Sequence, residues 1–180
     1  MATSNTLSLP ENINPLSPNG FSFSITKLPN VSFFCQRVTL PNISLAAIDQ
    51  MNPFSNRPIP GEIMTFSELS VQFLIDEQLL NYTSIFQWMV ALGFPESHDQ
   101  YKNFVGGQSS TVYTELAKNY SDATLGILDS QNNTVKNFMF YDLFPISLDA
   151  IQFESTAMDV NYVLGNATFR YSYFKILEDI

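Results

Sequence analysis

Apolar and polar residues alternate along much of this chain, and the alternation predicts strands. Phe21, Phe23 and Ile25 fall on one side of an extended segment and Ser22, Ser24 and Thr26 on the other, the period of two expected of a half-buried strand. A turn at Leu28, Pro29 and Asn30 leads into a second strand over residues 31–40, closed by Pro41, and the two strands are expected to pair as a hairpin. Residues 68–75 alternate again, with Leu69, Val71, Phe73 and Ile75 on one face. The period then lengthens. Leu79, Tyr82, Ile85, Phe86, Met89 and Leu92 follow the spacing of an amphipathic helix, with Asp76 placed to cap its start and Gly93 and Pro95 to stop it. Residues 122–128 and 134–141 flank the polar run Asp129, Ser130, Gln131, Asn132 and Asn133, the clearest hairpin signal in the chain. Pro145 is expected to break the chain before a strand at 146–153, and residues 159–176 to form one long strand bent near Gly165.

Three segments escape this pattern. Residues 1–20 hold Pro10, Pro15, Pro18 and Gly20 among Asn and Ser, which forbids a regular ladder and predicts an extended arm that dangles or binds a neighbour. Residues 41–61 carry Pro41, Pro53, Pro58, Pro60 and Gly61 around Met51 and Phe54. A loop so long and apolar is either a contact between subunits or a segment folded onto its own core. Residues 96–119, with Gly106 and Gly107, read as a polar loop. Met51, Phe54, Pro58, Gly106, Gly107 and the helix residue Trp88 are the expected subunit contacts. The sum is about seven strands and one helix: a mainly β chain, an antiparallel two-sheet sandwich or barrel over residues 21–180 with one flanking helix, preceded by the arm at 1–20.

Composition narrows what such a domain does. Its 180 residues fit one core, and charged residues make up only 14%, against roughly 25% in an average soluble domain. Asn, Ser, Thr and aromatics take their place, giving a polar, weakly charged surface that suits packing against copies of itself. The net charge is −9, from 17 acidic and 8 basic residues, and no Lys/Arg cluster exists to grip phosphates. That balance either provides solubility or forms an acidic wall that repels nucleic acid. The polar start lacks a signal peptide's basic and apolar regions, and no apolar run is long enough for a membrane helix.

Candidate chemistry is sparse. Cys35 is the single cysteine, which excludes an intrachain disulfide and a multi-cysteine zinc site, and it reads as a small core or interface hydrophobe. His98, the one histidine, adjoins Asp99 in a polar loop with no nucleophile motif near it. No phosphate loop, nucleophile elbow or dense carboxylate cluster occurs, so neither an enzyme activity nor a cofactor nor a metal is expected.

Two stretches carry a resemblance. Residues 121–130 (SDATLGILDS), a polar turn, residues 138–148 (FMFYDLFPISL), and Asp159 and Val160 leading into an aromatic-rich strand resemble the tail tube proteins of contractile-tailed phages. The N-terminal half is similar too, at residues 19–23 (NGFSF), 33–41 (FFCQRVTLP) and 58–62 (PIPGE). The resemblance spans about residues 21–176 and departs from the family in the proline-rich arm and the polar loop around 101–119. It implies a two-sheet barrel-like fold, homohexameric rings stacked into a tube inside the contractile sheath, contacts with sheath, baseplate and neck proteins, and a lumen through which genomic DNA passes without specific binding. It further implies a virion protein, made in the host cytoplasm, with no membrane partner. Within that family the main reading is the repeated tube subunit, favoured by length because end-cap proteins commonly carry extra domains. The alternative is a tube-initiating or tube-terminating ring of the baseplate or neck. A third reading, from another class, is a glycan- or receptor-binding β-sandwich using Trp88 and the tyrosines.

Overall fold

In the computed structural model the described residues are 15–51, 54–93, 95, 119–154 and 162–178. Most of the arm, the loop with Gly106 and Gly107, His98 and the start of the expected last strand lie outside the described residues. The elements run β1 (Phe21–Ile25), α1 (Pro29–Phe33), β2 (Cys35–Thr39), β3 (Ile43–Met51), β4 (Asn56–Phe66), β5 (Leu69–Leu74), α2 (Leu80–Gly93), β6 (Ser121–Leu128), β7 (Thr134–Leu148), β8 (Leu164–Arg170) and β9 (Tyr173–Glu178).

The expected mainly β architecture is present, as two antiparallel sheets. The larger has seven strands in the order β1-β6-β7-β8-β5-β2, with β9 also on β7; β3 and β4 form a separate two-stranded ribbon. The large sheet folds into two layers because β7 serves both. Its first part pairs with β6 and β9, from Lys136 to Tyr141, and its last part pairs with β8, Phe144 opposite Arg170 and Leu148 opposite Ala167. At the corner Asp142 adopts φ 56°, a left-handed conformation that Asp tolerates better than most residues, and its N–H donates to Asp122 Oδ1 at 3.4 Å. Beside it the chain leaves β8 and enters β9 at Tyr171 and Ser172, where Ser172 N–H donates to Tyr141 O at 3.0 Å. Two neighbouring strands thus turn the corner together.

Phe23, Ile25, Ala123, Leu125 and Phe140 from one layer, and Leu69, Val71, Phe73, Ala167 and Phe169 from the other, fall into a single buried cluster. Ile85 and Trp88 of α2 enter the same cluster, Trp88 lying 6.5 Å from the Phe169 ring. Trp88 Nε1 donates to Asn119 O at 3.0 Å, which satisfies the one polar atom of a side chain only 1% exposed. The helix is aimed by Asn81, fully buried: its Nδ2 donates to Leu74 O at 2.6 Å, and its Oδ1 accepts from Tyr82 N–H at 2.8 Å. Asp76 stands before the helix as expected, its Oδ1 accepting from Asn81 N–H at 3.3 Å.

Several expectations are corrected. β1 and β2 do not pair with each other: Phe23 faces Leu125 across β6, and Val38 faces Val71 across β5. Between them α1 makes one turn, because Pro29 has the φ and the missing N–H that suit a first helical position, and it buries Val31. The expected loop at 41–61 is largely strand: β3 and β4 pair as a ribbon, and Pro58 and Pro60 stand in its ladder, opposite Asp49 and Ala47. A two-stranded ribbon has a free flank on each strand, which is where a proline in a ladder is tolerated. Pro145 does not end β7, since a register shift between Pro145 and Ser147 absorbs it. The last long strand bends at residues 171–172, not at Gly165. Gly165 has another purpose: a Cβ there would lie 2.9 Å from Phe73 Cζ and 3.3 Å from Ile75 Cγ1.

That contact gives a stability prediction. Phe73 is fully buried and cannot swing aside, so Gly165→Ala is expected to destabilise the fold by about 1–3 kcal/mol, as overpacked cores do. Urea denaturation should show a lower midpoint at unchanged slope; an unchanged midpoint would mean the core yields freely there.

Candidate assembly interface

The ribbon's composition and its surroundings disagree. β3 and β4 carry Ile43, Leu45, Ile48, Met51, Ile59, Ile63 and Met64, the residue types of a buried sheet, yet all are exposed. Register explains why neither face escapes. Leu45 opposes Met64 and Ile48 opposes Ile59, and the odd separation of Leu45 from Ile48 on β3, the strand without the extra residues at the register shift, puts these pairs on opposite faces. The ladder is otherwise well made: Ser44 and Thr65 hydroxyls meet at 2.6 Å, and a register shift beside Ala46 is accommodated by Gly61, where a Cβ would lie 2.6 Å from Ala46 O. Phe66, at the base, packs 5.4 Å from Phe174 and 6.2 Å from Tyr171 and so roots the ribbon in the core. An isolated two-stranded ribbon is marginal in water, and contiguous bare apolar surface marks a contact site.

The expected contact residues separate on this structure. Met51 and Phe54 sit at the ribbon's far end, 85% and 99% exposed, and Pro58 stands on β4 near them. Trp88 is in the core of its own chain, not on a surface. Gly106 and Gly107 lie outside the described residues. What the sequence reading missed is the regular ladder joining Met51 to the apolar residues on either side, masked by three prolines in eight residues.

Unpaired backbone provides the second kind of contact surface. Among the described residues the six-stranded path ends at β1 on one side and β2 on the other, and these two, like β9 beside β7, are paired along one flank. Such margins invite strand addition unless blocked, and β1 and β2 are short strands of five residues.

Three concavities add detail. An apolar groove of about 600 Å³ is lined by Phe34, Leu74, Ile75, Leu79, Phe153, Tyr162 and Val163, with Asp76 and Glu77 at its rim. Two smaller polar ones, of about 410 and 250 Å³, contain Asp142 with Arg170, and Arg37 with Asp149. No group of three metal-ligating side chains exists among the described residues, and no described helix is long and apolar enough to cross a membrane. Cys35 packs against the core, and burial pushes its thiol up to about 11, the opposite of activation.

Comparison with known proteins places this geometry. The family described as "Phage tail tube protein" matches residues 6–177. The tail tube terminator protein of Enterobacteria phage T4 is 26% identical over 173 residues, covering 92% of this chain and 91% of that protein. Among solved structures, a chain of the anti-feeding prophage cap (AFP tube terminating cap) superposes with a TM-score of 0.63 at 11% identity, covering 98% of this chain and 100% of that one. A chain of the PVC extracellular contractile injection system sheath/tube terminator gives 0.60 at 15% identity, over 91% and 97%. These likenesses establish the fold.

Two outcomes test the surfaces described. Replacing Met51 and Phe54 together by Ser should leave the unfolding free energy within about 0.5 kcal/mol, as neither touches the core, while lowering self-association measured by sedimentation. For Cys35, a thiol near 11 is ionised in about one molecule in a thousand at pH 8. Its alkylation by iodoacetamide should be slow there and quicken about tenfold per pH unit until pH approaches 11; a rate at pH 8 equal to that of free cysteine would contradict the burial argument.

Proposed function

This chain belongs to the phage tail tube protein family, structural components of the virion's tail, and we propose that it forms a ring that terminates the tail tube. The observation that carries this reading is the alignment with the T4 tail tube terminator protein over nearly the whole of both chains. Length had favoured the repeated tube subunit. It gives way here, because a terminator of nearly the same length exists, so length does not separate the two roles. The likeness in fold to chains of a tube-terminating cap and of a sheath/tube terminator fits the same assignment.

The geometry supports ring formation. β1 and β2 of successive protomers complete one another's margins, removing the edges that otherwise aggregate, and a head-to-tail contact repeated by rotation closes a ring. The ring has six copies and a central opening, and it contacts the last tube ring on one face and the end of the sheath on the other. DNA passes through the opening; with a net charge of −9 and no cationic cluster, the protein repels the phosphate backbone within a screening distance of about 8–10 Å. In this reading the work is done by surfaces.

Electron microscopy of the purified protein decides between terminator and tube subunit. Single six-membered rings are expected, and mixing with the phage's tube subunit should yield tubes bearing one such ring at an end. Long tubes grown from this protein by itself would overturn the terminator reading.

A further inference from the structure

The ribbon tip and the apolar groove are two uncovered surfaces of one chain, and their chemistry matches. We propose that the tip of the β3–β4 ribbon, led by Phe54 and Met51, inserts into the groove between the N-terminus of α2 and residues 153 and 162–163 of a neighbouring copy, with Arg57 paired to Glu77 at the rim. The inference rests on the ring-forming reading above and deepens it by naming the contact.

Four observations carry it. Phe54 is almost wholly exposed, so the chain's own groove does not hold its own tip. The groove is the larger and more apolar of the three concavities described, and its walls include Phe153 and Tyr162, both about four-fifths exposed and themselves in need of cover. Its volume of about 600 Å³ lies within the roughly 300–1,000 Å³ of sites that enclose an apolar group. Charge supplies the fourth. Arg57 is the only Lys or Arg between residues 43 and 66, it stands exposed opposite Gln50 next to the tip, and the groove's ionisable lining is Asp76 and Glu77, with no cation. In a chain with only 8 basic residues, the one cation of the ribbon lies at the end where an acidic rim would receive it.

The groove is also firmly built. Leu74 N–H donates to Phe34 O at 3.0 Å and Ile75 N–H to Val163 O at 2.9 Å, tying β2, β5 and the approach to β8 together at its floor. Leu79 takes φ 58° just before α2, and its N–H donates to Asp76 O at 2.9 Å, which fixes the rim. Asp76 accepts from the helix at Asn81 N–H, so the exposed Glu77 is the carboxylate assigned to Arg57. Because tip and groove are different patches, the contact is head-to-tail: each copy gives one tip and receives one.

Cysteine cross-linking of the full chain tests this. In a Cys35→Ser background, Phe54→Cys combined with Phe153→Cys should give, on mild oxidation, a ladder of disulfide-linked multimers. Phe54→Cys combined with Ser130→Cys, on the β6–β7 turn, should not. Arg57→Glu in the first pair should cut the ladder by roughly fivefold or more, and adding Glu77→Arg should restore it. Circular dichroism checks that each variant is folded; the replaced positions are exposed apart from the half-buried Cys35, where Ser is close in size. Absence of the ladder, or one equally strong with Ser130→Cys, overturns the proposal; rings seen by microscopy without the ladder would do so while leaving the ring-forming reading intact. Capture of another tail protein by Phe153→Cys in assembled tails, with no capture of a second copy, would likewise overturn it.

Discussion

The structure depends on one strand being shared. β7 has ladder partners on both sides in its first part and a different partner in its last, so the two layers over the core are one sheet bent at Asp142. The bend is built from a left-handed Asp, a proline that withholds a ladder donor, and a register shift beside it. Because the β8–β9 chain turns at the same level, the ladder is kept on both sides of the corner. Phe140 and Tyr171, whose rings lie 5.0 Å apart, fill the inside of that corner. Everything that positions the exposed surfaces follows from it: β1 and β2 become the outer margins, and Phe66 roots the ribbon against Tyr171 and Phe174.

What alternation alone could reveal was confined to strands with one face in the core. β1, β5, β6 and the first part of β7 were legible because Phe23, Leu69, Val71, Phe73 and Leu125 recur at a period of two against polar neighbours. Which strand pairs with which was not, since the proximity of β1 and β2 in sequence suggested a hairpin, whereas the match of Phe23 with Leu125 across more than a hundred residues decides the pairing. The helix was legible in extent and in most of its facing, since Ile85 is buried and Met89 and Leu92 pack against the core; but Phe86 is exposed, and Asn81, a polar residue outside the apolar stripe, is buried among them. Its amide bonds to Leu74 and Tyr82 give the reason, and no periodicity encodes them.

The bare apolar surface was half legible. Met51 and Phe54 drew attention as apolar residues with no partner in sequence, and they are at the bare end of the ribbon. Their prolines disguised the ladder, because proline is a strand breaker only where both flanks are paired. Trp88 misled in the other direction: a large aromatic on a helix suits an interface or a core equally well, and the Nε1 bond to Asn119 O is what reveals the core. The family resemblance, by contrast, was carried by β6, β7 and the corner between them, the part of the chain whose register most constrains the fold.

Covered and uncovered apolar surface divide between the core and the ribbon. The core cluster draws on both layers and α2 of one chain, whereas the ribbon's exposed apolar residues stay outside it. The ribbon contributes little to that cluster beyond Phe66, and its cross-strand pairs leave both faces wet. Copies with a net charge of −9 repel one another at long range, and salt confines that repulsion to about 8–10 Å, whereas apolar burial acts only at contact. A weakly charged surface with 14% ionisable residues therefore keeps the barrier to association low while the ribbon supplies the attraction. In the proposed ring these two terms oppose each other at every joint. The tip contact covers Met51 and Phe54, while the pairs Leu45 with Met64 and Ile48 with Ile59 leave both faces of the ribbon apolar behind it, so attraction is not confined to one side.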